Sequence, residues 1–405
     1  MKIGIFLEGS PENSGGFFQS LKSSLLLLDI EKYHAQIELI ITNNNTKKYL
    51  INKNIKHCLF KLNKISNYLS QLFEINYLND FFNKTKINHP FYNFIKRYKY
   101  DVIIFLGPSE MSKFCKEIAF ISNIWDLDHK KNSQFPEHNL SNTYEYREKL
   151  LQEIVSRAFK IIVPHESNKK DLVNFYKTPE DKITTQNFIP MLPTIYKENN
   201  LDNEGYKKLF LNFDLPPNKK IIFYPAQFWA HKNHKYLIDV AEMLKKRNNE
   251  KYLFVFCGGN KGNYNYVKEL ILNKKLNNHI KILTFISDEE VISLYLNSHG
   301  VVMPTYGGPT NLPIYESFFF KKIIFYTKNL IPNDIINDHL IEIDTSSPLD
   351  LHDKLEILFN TPKLIEMVNK NYEYYKLICN EETFKRNYEK ILDDFSYVLN
   401  RWKSG

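Results

Sequence analysis

The sequence predicts an α/β protein built as two doubly wound, parallel-sheet (Rossmann-like) domains facing a central cleft. Three observations carry this. Short apolar runs alternate with helical stretches along the chain, the pattern of a parallel sheet covered on both faces. The alternation breaks once, near residues 186–200, where Pro190, Pro193 and an Asn/Glu-rich tail read as an interdomain connection, and then restarts. A Gly/Pro/Thr/Asn turn at 306–311 joins an apolar strand to an apolar-periodic helix. In such sheets ligands lie at the carboxyl ends of the strands, which places a ligand between the two domains.

The elements follow in order. Residues 3–7 form a first buried strand, and Glu8 interrupts the apolar run too soon for a signal peptide. Gly15-Gly16 opens a helix to about Leu28. Residues 36–42, 100–106, 118–125 and 160–163 read as further strands, with a helix over 144–157. After the break, strands are expected at 220–224, 252–257, 279–285, 300–303 and 322–326. Helices between them are expected at 234–246, 264–274, 288–297 and 312–320, and long helical segments span about 361–402. The expected division is 1–190, 200–370 and a helical tail 371–405 that packs back toward the first domain.

Composition narrows the class. No window holds the ~18 apolar residues of a membrane span. Cys58, Cys115, Cys257 and Cys379 are far apart, with neither metal-ligand spacing nor the density of a disulfide framework, so a cytoplasmic protein is expected. The net charge is +8, and residues 44–100 carry eleven Lys/Arg against Glu74 and Asp80, a balance of +9. Phe81, Phe82, Phe91, Tyr92, Phe94, Tyr98 and Tyr100 are interleaved there. Such a segment suits the anionic surface of a membrane, and the expectation is peripheral attachment at its inner face. It also suits nucleic acid, although no nucleic-acid motif accompanies it. A solvated lysine-rich face over an aromatic core accounts for the same residues.

The turn at 306–311 is the most informative stretch. Thr310 or Asn311 can cap the following helix, and Pro313 suits its first turn. The first N–H groups, near Thr310, Asn311 and Leu312, are then free to meet an anion such as phosphate. Glu316, one turn further, is a good acceptor for two vicinal ribose hydroxyls. Anion plus diol describes a nucleotide. Lys232, just before the helix at 234, is placed to meet a phosphate as a point charge. Gly258 and Gly259 end an apolar strand where backbone turns tightly or approaches a ligand. Phe285 lies in the stretch leading to Ser287-Asp288-Glu289-Glu290, in which Ser287 or Asp288 caps a helix. An ordinary strand-to-helix turn and a surface lysine are the plain readings of the first two motifs taken singly.

The order and spacing of these segments from Tyr224 to Tyr326 resemble the nucleotide-sugar half of family 4 retaining glycosyltransferases, which have the two-domain GT-B fold. The resemblance implies that Lys232 meets the donor phosphates and Glu316 the ribose. It extends into the first half. Ser14-Gly15-Gly16 matches the glycine loop after the first strand, Trp125-Asp126-Leu127-Asp128-His129 followed by Phe135-Pro136-Glu137 matches a cleft segment, and 158–172 resembles the segment closing the first domain. It implies a donor set of Gly15, Gly16, Gln227, Lys232, Gly258, Phe285, Gly308, Thr310, Asn311, Leu312 and Glu316. It also implies Asp126, His129 and Lys232 as catalytic residues. Three positions depart from the family. Gly308 stands where a glutamate facing the sugar is expected, Gln227 where an arginine pairs with the phosphate lysine, and Trp125 where a histidine is expected.

Asp126-Leu127-Asp128 also spells the D-x-D of metal-dependent transferases of another fold. In this fold helix termini and cations meet the phosphates, so neither metal nor cofactor is expected beyond the nucleotide-sugar co-substrate. The implied function is retaining transfer of a sugar from a nucleoside-diphosphate donor to a glycan or lipid-linked acceptor in surface-polysaccharide synthesis. A non-catalytic nucleotide-sugar-binding homologue and an epimerase of the same fold are the alternatives.

Overall fold

The computed structural model describes residues 1–10, 16–52, 55–62, 72, 87–284, 286–308, 311–328, 330, 339–359 and 363–403. Within them the chain forms two parallel sheets. The first holds β1 (Ile3–Leu7), β2 (Ile37–Ile41), β3 (His57–Leu59), β4 (Val102–Phe105), β5 (Ala119–Asn123), β6 (Lys160–Val163) and β7 (Ile183–Thr185), in the order β3-β2-β1-β4-β5-β6-β7. The second holds β8 (Lys220–Pro225), β9 (Tyr252–Cys257), β10 (Ile280–Leu283), β11 (Gly300–Met303), β12 (Ile324–Thr327) and β13 (Ile341–Ile343), in the order β10-β9-β8-β11-β12-β13. All pairings are parallel, with Ile3 opposite both Ile37 and Val102, and Ile222 opposite both Phe254 and Gly300.

Strand order reverses direction between β1 and β4 in the first sheet, and between β8 and β11 in the second. These switch points matter because connections leave to opposite sides there and open a crevice above the strand ends. The central strands are buried on both faces, as β1, β4, β9 and β11 illustrate. That is why their sequences run apolar without alternation. Burying each such Ile, Val or Phe side chain contributes about 1.5–3 kcal/mol.

The last helix, Glu381–Lys403, returns to the first sheet. Phe384, Tyr388, Ile391, Leu392, Phe395 and Leu399 join the core beneath β1 and the Gly16–Leu28 helix. Ion pairs Lys22–Glu381 (2.7 Å), Lys385–Asp29 (3.1 Å) and Lys32–Asp393 (2.7 Å) flank that seam.

Three short strands, β3, β7 and β13, were not expected from the sequence. Within the basic segment the described part includes a helix, Pro90–Arg97, whose Phe91, Tyr92 and Ile95 point into the first core. Phe91 packs against Phe6 and Phe60. Tyr100 is buried too, and of the described aromatics only Tyr98 is exposed. Lys48, Lys56, Lys61, Lys96, Arg97 and Lys99 remain exposed. Phe81, Phe82, Lys84 and Lys86 lie outside the described residues.

Candidate active site

A cleft of about 430 Å³ lies between the two sheets, at the switch point of the second. From that side it is lined by Pro225 at the end of β8 with Ala226, Gln227, Trp229, His231 and Lys232 after it, and by Met303 at the end of β11 with Gly308, Asn311, Leu312 and Pro313 after it. From the first side come Gln19, Trp125, Asp126, Asp128, Glu137, His138 and Arg147.

Lys232 is set by its local fold. Asn233, with φ of 54°, caps the His234–Lys246 helix by accepting from the Tyr236 amide at 3.3 Å. The Tyr224 hydroxyl donates to the Lys232 carbonyl. The side chain then crosses to the other loop, where its Nζ donates to Asn311 Oδ1 at 2.8 Å. Burial lowers the Lys232 pKa to about 8, against the pull of Asp128, Asp126 and Glu137, which favour the ammonium.

Asn311 occupies the N-cap position of the Leu312–Phe319 helix, and Pro313 sits in its first turn, as the sequence suggests. Its side chain makes no cap bond. The amide donates instead to the Gly308 carbonyl and to the Tyr326 hydroxyl, leaving its oxygen for Lys232. The first amides of the helix are thus left without a side-chain cap. Gly308 has φ of +91°, and a Cβ there would meet Asn311 Oδ1 at 3.1 Å. A glutamate in that place would be strained and would crowd the Lys232–Asn311 bond.

Glu316 lies one turn along the same helix, buried and outside the cleft lining. Its Oε2 accepts from the Tyr295 hydroxyl at 2.7 Å. Burial raises its pKa to about 7, with Asp288 adding to the rise and the Tyr295 bond opposing it. Ser287 caps the helix that carries Tyr295, in a reciprocal box with Glu290. Gly258 also lies outside the lining. A Cβ there would collide with the Ala226 carbonyl and come to 2.8 Å from Gln227 Cα, so the glycine lets the two strand ends close on each other.

On the opposite wall Arg147 donates to Asp126 Oδ1 at 2.8 Å. Burial alone would raise the Asp126 carboxyl, but Arg147, the Asp128 amide and His129 outweigh it and hold it low. Asp128 goes the other way, raised by burial and by the neighbouring Asp126 charge, with Lys232 and Arg147 only partly offsetting this. One carboxylate is therefore kept ionised beside one that takes up a proton readily. His129 does not line the cleft. It is wholly buried, with its Nε2 2.7 Å from Glu148 Oε1. Trp125, in the place of the expected histidine, donates from Nε1 to the Leu106 carbonyl at 2.8 Å and forms part of the wall.

The two walls also touch. Glu137 Oε1 accepts from the His231 amide at 2.9 Å and meets its ring Nδ1, while Phe135 stacks on Tyr306 at 5.3 Å. Gly307 lies against Asp128 and Asn132, where a Cβ would come within 2.9 Å of both.

Of the residues singled out from sequence, the cleft brings together Asp126, Gln227, Lys232, Gly308, Asn311 and Leu312. Gly16 starts the first helix, while Gly15, Phe285 and Thr310 lie outside the described residues. Asp128, read from sequence as part of the D-x-D, lines it too, and Gln19, His138, Arg147, Trp229 and His231 do so without having been singled out for a site. No spacing in the sequence links Arg147, on the Thr143–Arg157 helix, to the cleft. Among the described residues no cluster of three or more His, Cys, Asp or Glu could hold a metal ion.

This geometry lies largely within a stretch that matches a known family. Residues 207–374 match the model for glycosyl transferases group 1. The group 1 match takes in Lys232, Gly308, Asn311 and Glu316 but not the wall bearing Asp126, Asp128 and Arg147. No curated protein sequence matches the chain. Solved structures match nearly its whole length. A glycosyltransferase from Rickettsia africae ESF-5 is 19% identical, with 97% of this chain and 98% of that one covered and a TM-score of 0.69. HepE from Anabaena, in complex with UDP-glucose, is 13% identical over 97% and 100%, with a TM-score of 0.70. UDP-GlcNAc 2-epimerase from Neisseria meningitidis, bound to UDP-GlcNAc, is 14% identical over 97% and 100%, with a TM-score of 0.63. The likeness establishes the fold, two Rossmann-like domains of the GT-B type.

Proposed function

We propose that this chain is a retaining glycosyltransferase that moves a sugar from a nucleoside-diphosphate sugar to a glycan or lipid-linked acceptor in surface-polysaccharide synthesis. The observation that carries the reading is the Lys232–Asn311 bond, which holds a partly buried ammonium beside an uncapped helix N-terminus at the switch point of the second sheet. A diphosphate is the ligand such a place favours. Glu316 receives the ribose hydroxyls, and the group 1 match over these residues supports both assignments. The structural neighbours determined with UDP or a UDP-sugar support a nucleotide sugar as donor.

In the reaction the sugar C1–O bond to the diphosphate breaks and a C1–O bond to the acceptor forms. Positive charge develops on the sugar ring and negative charge on the leaving diphosphate. Lys232 and the helix amides near Asn311 and Leu312 stabilise the latter, in a site that reorganises little. The acceptor proton passes to a leaving phosphate oxygen as the acceptor attacks the departing face. Asp126, kept ionised by Arg147, stabilises the developing ring charge, and Asp128 hydrogen-bonds a sugar or acceptor hydroxyl. Glu137 and His231 join the walls around the donor. Exposed cations between 44 and 100 hold the enzyme at an anionic membrane, where a lipid-linked acceptor resides. Their described aromatic neighbours point mostly inward, so charge carries the attachment.

The test is incubation with a panel of nucleotide sugars, following release of nucleoside diphosphate with and without candidate glycan acceptors. Acceptor-dependent release supports transfer. Conversion of the donor sugar without release and without acceptor supports the epimerase reading instead, and binding without turnover supports the non-catalytic one.

A further inference from the structure

The first sheet has a switch point of its own, between β1 and β4, and a second crevice of about 240 Å³ opens there. At ~30 Å³ per water this is roughly the liquid volume of eight waters, room for one pyranose ring and too little for a nucleotide. Trp125 lines both this crevice and the main cleft, so the two are neighbours across one indole.

The crevice is a built feature. Gly107 carries the chain past Trp125 so closely that a Cβ would come to 2.7 Å from Cζ2, and the indole Nε1 is tied to the Leu106 carbonyl. The ring is therefore a fixed wall. Phe17 supplies a second aromatic surface, and Gly9, with φ of +99°, turns the chain against it. The Gly9 carbonyl is pinned by the Thr46 hydroxyl at 2.9 Å and by the Asn43 amide. The polar groups are Glu8, exposed at the rim and bonded by the Ser109 hydroxyl, and Ser20 on the Gly16–Leu28 helix. One residue before Ser20, Gln19 is almost wholly buried, lines the main cleft, and leaves its Oε1 without a hydrogen-bond partner among the described residues.

We propose that this crevice is a second acceptor subsite that takes one neutral sugar ring, the residue next to the one that receives the transferred sugar. The inference rests on the transferase reading of the cleft. Fixed aromatic walls suit the C–H face of a pyranose, and the Glu8 carboxylate accepts its hydroxyls. No lysine, arginine or histidine is among the described residues lining the crevice, and Glu8, whose carboxyl burial and Glu110 raise while the Ser109 bond opposes the rise, is the one acidic side chain among them. An anionic sugar is therefore rejected, and selection works by repulsion as well as by contact. An acceptor reaching over Trp125 would present its terminal hydroxyls to Gln19 in the main cleft. The enzyme then prefers an acceptor of at least two sugars.

The experiment is saturation-transfer NMR on the full chain with neutral methyl glycosides (glucoside, galactoside, mannoside and N-acetylglucosaminide), recorded with and without saturating UDP. Glucuronate and glucose 6-phosphate are the anionic probes. At least one neutral glycoside is expected to give a signal, and both anions are expected to give several-fold less. Ser20→Leu, which fills the crevice, should abolish the signal. Glu8→Gln should reduce the difference between neutral and anionic probes. Calorimetry with UDP on the same variants should be unchanged, which also reports that they are folded. Absence of signal from every neutral glycoside, a signal unaffected by Ser20→Leu, or equal signals from the anions overturns the proposal. Failure of UDP to bind the wild type, by contrast, counts against the transferase reading, while the Ser20→Leu comparison still decides the crevice.

Discussion

Lys232 Nζ and Asn311 Oδ1 lie 2.8 Å apart, and that bond joins the loop after β8 to the start of the helix after β11. These two loops flank the switch point of the second sheet, so one contact positions a cation and a helix N-terminus together. Lys232→Ala should lower turnover on the order of 10²–10³-fold, the usual cost of removing one preorganised donor from a developing anion. Asn311→Ala should cost less, because the ammonium survives but is no longer aimed. Steady-state rates with saturating donor, alongside thermal melting to confirm folding, check both.

The Lys232 pKa of about 8 gives a pH signature. Activity that needs the ammonium should fall as pH rises through about 8. Folding lowers this pKa from its ordinary value, so the unfolded chain binds the proton more tightly. The charged lysine therefore costs stability below about 8, and that cost is relieved as pH rises toward about 10.4. Loss of rate above pH 8 should thus occur without unfolding. A pH–rate profile with circular dichroism at each pH separates the two.

Glu316, with its pKa raised to about 7, makes an opposite prediction. Ribose hydroxyls bind the carboxylate better than the acid, so nucleotide affinity should rise from pH 6 to pH 8. Glu316→Gln should remove this rise and weaken binding by about 1.5–3 kcal/mol. Tyr295→Phe frees one carboxylate oxygen and should have a smaller effect. Calorimetry across pH, comparing wild type with each variant, isolates the part due to Glu316 from titration of the phosphate itself.

Gly308→Glu would restore the carboxylate that the resemblance leads one to expect. The φ of +91° and the 3.1 Å approach to Asn311 predict strain of about 1–2 kcal/mol, and no gain in rate. Thermal melting and turnover of this single variant check it. A faster enzyme would mean that the glycine is a loss rather than a fitted part of the site.

Attachment to membranes should depend on charge. Replacing Lys48, Lys56, Lys61, Lys96, Arg97 and Lys99 with Gln should release the protein from anionic liposomes at low salt. Wild-type binding should fade as the Debye length shrinks to about 8 Å at physiological ionic strength. Co-sedimentation with anionic and neutral liposomes tests it, and equal partitioning onto both would leave these residues as a solvated face.

Much of this fold was legible because long buried strands write continuous apolar runs, as in β1, β9 and β11. The three-residue strands β3, β7 and β13 were not, since three residues are too few to establish a period. The positions of Lys232 and Glu316 in the fold could be read because each stands at a fixed place relative to a strand end and a helix start. Arg147, His138 and His231 could not, because their meeting depends on how the two domains face each other. His129 is placed by a local cause instead. Sequence put it beside Asp126, and the helical turn at Asp128–Lys131 carried its ring back to Glu148.

The most direct measurement is calorimetric titration of a panel of nucleoside diphosphates into the wild type and into Lys232→Ala. At least one diphosphate is expected to bind the wild type, and Lys232→Ala to bind it at least tenfold more weakly while remaining folded. A wild type that binds none of them, or a Lys232→Ala variant that binds as tightly, would contradict this expectation.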